Sequence, residues 1–308
     1  MLICFLIFIV CFSSLYFLLF AVCYLLSAIR KVQKRQSAKG KVQIAKIHTF
    51  VPVEQTSSRY FVEIAFDGSA YHGWQTQPNA IAVQELLDKA LSTLLRQPIG
   101  TVGCGRTDTG VHAKQLFAHF DLDATTFAVL GDDFLYKLNA LLPHDIAAKR
   151  LIAVEPGAHA RFDAVSRSYE YHIHLEKNPF LHGRSWRLRD MPDMQVMNEA
   201  AGILQQYEDF SCFSKSNTQV YTNICYITRA EWHRLNDCQL VFHISANRFL
   251  RNMVRAIVGT LIEIGLGEHM PDYMHTVIQS KDRSVAGTSA PACGLYLTNV
   301  AYSYVHSI

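Results

Sequence analysis

The chain has 308 residues, half of them hydrophobic, which suits one large globular domain or two of ordinary size. Eight cysteines occur without a C-x-x-C pair, which argues against a zinc site or disulfide framework and for reduced thiols. The formal charge of +3 is uneven: seven of the 29 Lys/Arg precede Glu54, the first acid, leaving 22 against 26 acids, so any basic surface on the body must be local.

Met1 to Ile29 contains no charged residue, and a basic flank from Arg30 to Lys46 follows it. A helix of that length can span a bilayer, with the flank held on the cytoplasmic side. There is no basic segment ahead of the apolar run and no clean cleavage site after it, so a secretory signal fits poorly. Residues 1–58 are read as a tail, either a membrane anchor or a stretch upstream of the true start.

"RYFVEIAFDG" (Arg59–Gly68) alternates as a strand ending in an Asp-Gly turn. "IAVQELLDKALSTLLR" (Ile81–Arg96) places Leu86, Leu87, Ala90, Leu91, Leu94 and Leu95 on one helical face. "KQLFAHFDL" is a strand, "DDFLYKLNALL" a helix stopped by Pro143, and "IAAKRLIAVEP" a strand. The second half repeats the rhythm. "SYEYHIHLE" is a strand, "MQVMNEAAGILQQY" a helix, and "NICYITRAEWHRL" and "CQLVFHISA" adjacent strands. "FLRNMVRAIVGTLIEIG" (Phe249–Gly265) is an apolar helix and "GLYLTNVAYSYV" a closing strand. Two similar α+β units predict a structural duplication with a cleft between the halves.

Chemistry concentrates in a few stretches. "VGCGRTDTGVHA" (Val102–Ala113) sets Gly103, Gly105 and Gly110 around Arg106, Asp108 and His112. Glycines permit close ligand approach, and Arg106 favours the charged form of a neighbouring carboxylate. Asp108 is therefore either a rigidly presented catalytic carboxylate or a turn aspartate bonded to its own backbone. "DGSAYHGWQTQP" (Asp67–Pro78) offers aromatic and amide groups suited to bases, but a loop around one buried tryptophan accounts for it as well. In "HARFDAVSRSYEYHIH", Tyr169 and Tyr171 share a strand face, and Arg161 and Arg167 suit phosphates. His172 and His174 lack a third ligand and are expected to face solvent rather than a metal. Arg251 and Arg255, four apart on the expected helix, project together. An arginine half-buried there needs a carboxylate, and Asp108 is the candidate; the alternative is an arginine snorkelling over the core edge.

In this order, "DGSAYHGWQTQP", "GCGRTDTGVHA", "ARFDAVSRSYEY", "ANRFLRNMVRAIVGTLIEIG" and "AGTSAPACGLYL" closely resemble the TruA-type family of tRNA pseudouridine synthases, over about Arg59 to Tyr304. The resemblance implies an α+β fold. Two ferredoxin-like (RRM-like) halves, 59–160 and 161–308, form a continuous, mainly antiparallel sheet around a central active-site cleft. It implies isomerisation of uridine to pseudouridine at positions 38, 39 and 40 of the tRNA anticodon stem-loop. By the same resemblance Asp108 is the catalytic aspartate, Arg106 helps expel the base and Tyr169 stacks on it. Arg255 pairs with the carboxylate, and Leu295 lies near the uracil pocket. A homodimer, tRNA as partner, no cofactor and a cytoplasmic location are implied too, with a membrane involved only through the tail. Cys104 stands where the family commonly has alanine; both are small, so little effect is expected. A non-catalytic RNA-binding module and a membrane-anchored protein are the competing readings.

Overall fold

The computed structural model describes residues 57–123, 131–215 and 222–305. The apolar run and basic flank of the tail lie outside the described residues. Among those that are described, no helix is long and apolar enough to cross a membrane.

The fold is α+β. In chain order the elements are β1 (Ser57–Phe66), α1 (Val83–Leu95), β2 (Val102–Gly103), β3 (His112–Asp123), α2 (Phe134–Leu141) and β4 (Ile146–Val154). Then come β5 (Ala164–His174), β6 (Trp186–Arg187), α3 (Met194–Ile203), β7 (Ile227–Asn236), β8 (Gln239–Ala246), α4 (Met253–Gly265), α5 (Tyr273–Ser280) and β9 (Leu295–Tyr302).

The strands form one mixed sheet in the order β4-β1-β3-β9-β5-β8-β7, with β2 beside β3 and β6 beside β5. Along that path every pairing is antiparallel except β3 with β9, where His112 lies opposite Tyr296 and Ala113 opposite Leu297. The closing strand thus inserts between β3 and β5, at the end of β3 nearest the Asp108 motif.

In β1, Tyr60, Val62, Ile64 and Phe66 enter a core shared with Val83, Leu87, Leu91 and Leu95 of α1, and the intervening Phe61 is buried in it as well. Leu86 and Leu94, expected on the same helical face, sit at its margin and are only partly buried. A second core gathers Tyr171 and Ile173 of β5, Trp232 and Phe242 of β7 and β8, and the apolar faces of α3, α4 and α5. Helix α4 is buried almost all round, from Met253 to Gly265. Tyr169 packs against both cores.

The start of α4 and the setting of His174 depart from expectation. Helix α4 begins at Met253 rather than Phe249, because Asn252 adopts a left-handed conformation (φ 66°) as its N-cap. Asparagine tolerates that region better than most residues, and its Nδ2 donates to Ser289 Oγ at 2.6 Å. His174 is 5% exposed and does not face solvent as expected; Leu188, at the end of β6, donates its N–H to His174 O at 2.9 Å and packs that segment against the strand.

Candidate active site

The Asp108 loop is fixed by a second loop laid against it. Asp67 caps a short 3-10 turn, accepting the Ser69 N–H at 3.0 Å. From this turn Gly68 N donates to His112 Nδ1 at 3.1 Å, and Tyr71 O accepts the Gly110 N–H at 3.2 Å. His112 Nε2 lies 3.1 Å from Cys293 O. With Nδ1 accepting from Gly68, the proton belongs on Nε2, which donates to that carbonyl. Burial lowers the pKa of this imidazole. Nδ1 also lies 3.1 Å from Asp67 Oδ1, whose charge works against the effect of burial. The buried His112 ring stacks on Tyr296 at 4.5 Å.

The aromatic residues of the Asp67–Pro78 loop are scaffold. Trp74 is 2% exposed and Tyr71 is buried, its hydroxyl donating to Asp145 Oδ1 at 2.5 Å. Gly73 has φ +85°, and a Cβ there would stand 2.2 Å from Thr107 O, beside Asp108. Gly73→Ala is expected to cost about 2 kcal/mol or more, combining a left-handed backbone with a main-chain clash. Urea denaturation reads that cost; unchanged stability would show that the loops are not locked together here.

Within "GCGRTDTG", Gly110 takes φ +78°, while Gly105 faces open space. Val111 N donates to Asp108 O at 3.1 Å, closing a turn that leaves the Asp108 side chain 27% exposed. Cys104 is buried, and burial pushes its thiol up to about 11, so it is an inert packing group.

Two arginines turn onto the carboxylate. Arg255 Nη1 is 3.3 Å from Asp108 Oδ2, and Arg251 Nε is 3.7 Å from Oδ1. They do not share a helical face, since Arg251 precedes α4 and Arg255 lies in its first turn. Arg251 is 59% exposed, and such a pair is worth no more than about 1 kcal/mol. Arg255 is more enclosed. Its Nε donates to Ala290 O at 2.7 Å, and its own carbonyl accepts the Ala290 N–H at 2.9 Å. The 288–290 segment reaches this position because α4 carries Gly259, where a Cβ would stand 1.8 Å from Thr288 O.

Tyr169 is partly buried in β5, between Ile244 of β8 and Leu297 of β9, with its ring edge-on to Phe249 at 5.1 Å. Burial above all raises the pKa of its hydroxyl. Tyr171 is fully buried and donates its hydroxyl to Pro291 O at 2.7 Å, whereas Tyr169 is only partly buried. Leu295 opens β9, 6% exposed and opposite Tyr171.

Arg106 is exposed and forms no ion pair with a described residue. It is near Arg161, whose guanidinium pKa is lowered by burial and then by Arg106, Arg167 and Arg248. Arg167 differs from expectation: its guanidinium is occupied by main-chain carbonyls and is not free for phosphate. No group of His, Cys, Asp or Glu among the described residues is arranged to hold a metal.

A family model described as tRNA pseudouridine synthase matches residues 205–303, a span that includes Arg255 and Leu295 but begins after Asp108 and Tyr169. Relatives extend the likeness upstream. The tRNA pseudouridine synthase A of Bacteroides fragilis is 50% identical over 244 residues, covering 79% of this chain and 96% of that protein. The one from Bacteroides thetaiotaomicron is 51% identical over 246 residues, covering 79% and 90%. The Bacillus subtilis protein of the same name is 40% identical over 247 residues, covering 78% and 97%.

Proposed function

Because the chain belongs to the tRNA pseudouridine synthase A family and is thus an enzyme that isomerises uridine in tRNA, we propose that it acts at positions 38, 39 and 40 of the anticodon stem-loop with Asp108 as the essential catalytic residue. The observation that carries this reading is the half-buried Asp108 carboxylate, facing Arg255 at 3.3 Å, on a loop locked through Gly73 and His112.

The reaction breaks the N1–C1′ bond, turns the uracil and joins C5 to C1′. The proton on C5 is lost and N1 gains one, so atoms balance and nothing is oxidised. A carboxylate suits either route into this sequence, attack on the sugar or base, or removal of a sugar proton. Arg255 aims the Asp108 carboxylate, and Ala290 O holds Arg255. A uridine within a stem must first leave the stack, at a cost of roughly a few kcal/mol. Stacking on Tyr169 returns about 1–3 kcal/mol. On this reading Arg106, exposed on the same loop, enters the space the base vacates, and Leu295 lies on the apolar side of the uracil.

On this reading the chain forms two ferredoxin-like halves, 59–160 and 161–308, and the site lies in the cleft where β9 and β5 join them. The active form is a homodimer working in the cytoplasm. Transcripts carrying a single uridine at position 38, 39 or 40 test the positional assignment; conversion elsewhere but at none of these would refute it.

With the body at −4, tRNA attraction relies on Arg106, Arg161, Arg248 and Arg251. Four phosphate contacts give a slope of about −3 for the logarithm of the binding constant against that of salt concentration. Filter binding across a salt series measures it, and a flat response would contradict the assignment.

A further inference from the structure

Arg167 stands in β5 two residues before Tyr169, and main-chain carbonyls surround its guanidinium. Nη1 donates to Ala164 O at 2.7 Å and to Asn247 O at 2.9 Å; Nη2 donates to Arg161 O at 2.7 Å and to Cys104 O at 3.3 Å. These acceptors come from separate parts of the chain. Cys104 is four residues before Asp108. Arg161 and Ala164 flank the turn that leads into β5. Asn247 directly precedes Arg248 and lies four residues before Arg251.

We propose that Arg167 is a positioning residue for the isomerisation, fixing the Asp108 loop and the Arg248–Arg251 segment against the strand that carries Tyr169. This rests on the reading that Asp108 and Tyr169 flank the reacting uridine. The planar fork is what the task requires, because donors spread over two terminal nitrogens reach acceptors in several directions. The need for such a tether is visible in the loop itself. Cys104 is anchored on its other side by its N–H to Phe117 O at 2.7 Å, but Gly105 faces open space and Arg106 is exposed. Reacting groups must be held to within a fraction of an ångström, and a shift of about 1 Å costs on the order of a hundredfold in rate.

The same arrangement has an electrostatic consequence. Carbonyl partners satisfy the donors of Arg167 without cancelling its charge, so it adds to the positive field of Arg106, Arg161 and Arg248. Position and charge are separable by substitution. Arg167→Lys keeps the charge and most of the bulk but loses the fork; Arg167→Met loses both.

The test uses the full chain with steady-state assays on tRNA, thermal melting, and amide exchange over residues 103–110 and 247–252. For Arg167→Lys, kcat is expected to fall at least about tenfold with KM within about threefold, and both segments are expected to exchange faster. Arg167→Met is expected to show the same fall in kcat together with a raised KM. Wild-type kcat in the folded Lys variant would overturn the proposal. So would a loss confined to KM, which would make Arg167 a direct phosphate contact, or a fall in kcat with unchanged exchange. Asp108→Asn assayed alongside separates the two ideas: activity retained there refutes the reading of Asp108, whereas activity lost there with Arg167→Lys unaffected refutes only the role of Arg167.

Discussion

Asp108→Asn is expected to lower pseudouridine formation by at least about a thousandfold, equivalent to about 4 kcal/mol of transition-state stabilisation, while leaving tRNA binding within about threefold of the parent. Asparagine keeps the shape of the side chain, removes its charge and basicity, and turns one acceptor oxygen into an NH2 donor. The loop geometry does not depend on that charge, since its anchors are Gly68 N to His112, Gly110 N to Tyr71 O and Val111 N to Asp108 O. Arg255 keeps its bond to Ala290 O when the carboxylate is lost, and Arg251, at 59% exposure, stays solvated. Single-turnover conversion of a tRNA transcript, with filter binding beside it, separates chemistry from affinity. Activity within tenfold of the parent would make Asp108 a turn residue, the bland alternative its sequence surroundings allow.

Arg255→Lys is the second large effect. The arginine spans two acceptors with two different nitrogens, Nε on Ala290 O and Nη1 on Asp108 Oδ2. A lysine ammonium is a point donor and reaches one of these positions, so charge is retained while the orientation of the carboxylate is lost. A fall in kcat of about 10- to 100-fold is expected, or about 1.4–2.8 kcal/mol, with KM little changed. Wild-type kcat in this variant would mean that proximity of a positive charge is sufficient and that the bond to Ala290 is only structural.

What could be read from the sequence, and what could not, divides along physical lines. Period-two and helical patterns located every long strand and the helices α1 to α4, because burial on one face leaves that imprint. Helix α5 has no counterpart among the predicted elements, although Met274, Val277 and Ile278 carry helical spacing. The start of α4 was illegible for another reason: the apolar pattern runs unbroken through Phe249 and Leu250, and only the backbone of Asn252 shows where the helix begins. Arg251 and Arg255 nevertheless converge on Asp108, through a turn instead of a shared helical face.

Arg167 and Tyr171 mark the limit of residue type as a guide. An arginine beside tyrosines in a strand suits phosphate, yet the acceptors that occupy Arg167 are carbonyls, which every residue possesses and no sequence pattern flags. Tyr169 and Tyr171 share a strand face, but Pro291, more than a hundred residues away, takes the hydroxyl of the fully buried Tyr171, whereas Tyr169 is only partly buried. The Asp108 motif was legible as a place where something is held tightly. Gly73 and His112, which do the holding, acquire that meaning only when the two loops are seen against each other.

The most direct test of the account is to map pseudouridine in tRNA from cells with and without this protein. Modification at positions 38, 39 and 40 is expected to disappear on deletion, to return with the parent chain and to stay absent with Asp108→Asn. Unchanged pseudouridine at these positions after deletion, or full restoration by Asp108→Asn, would contradict it.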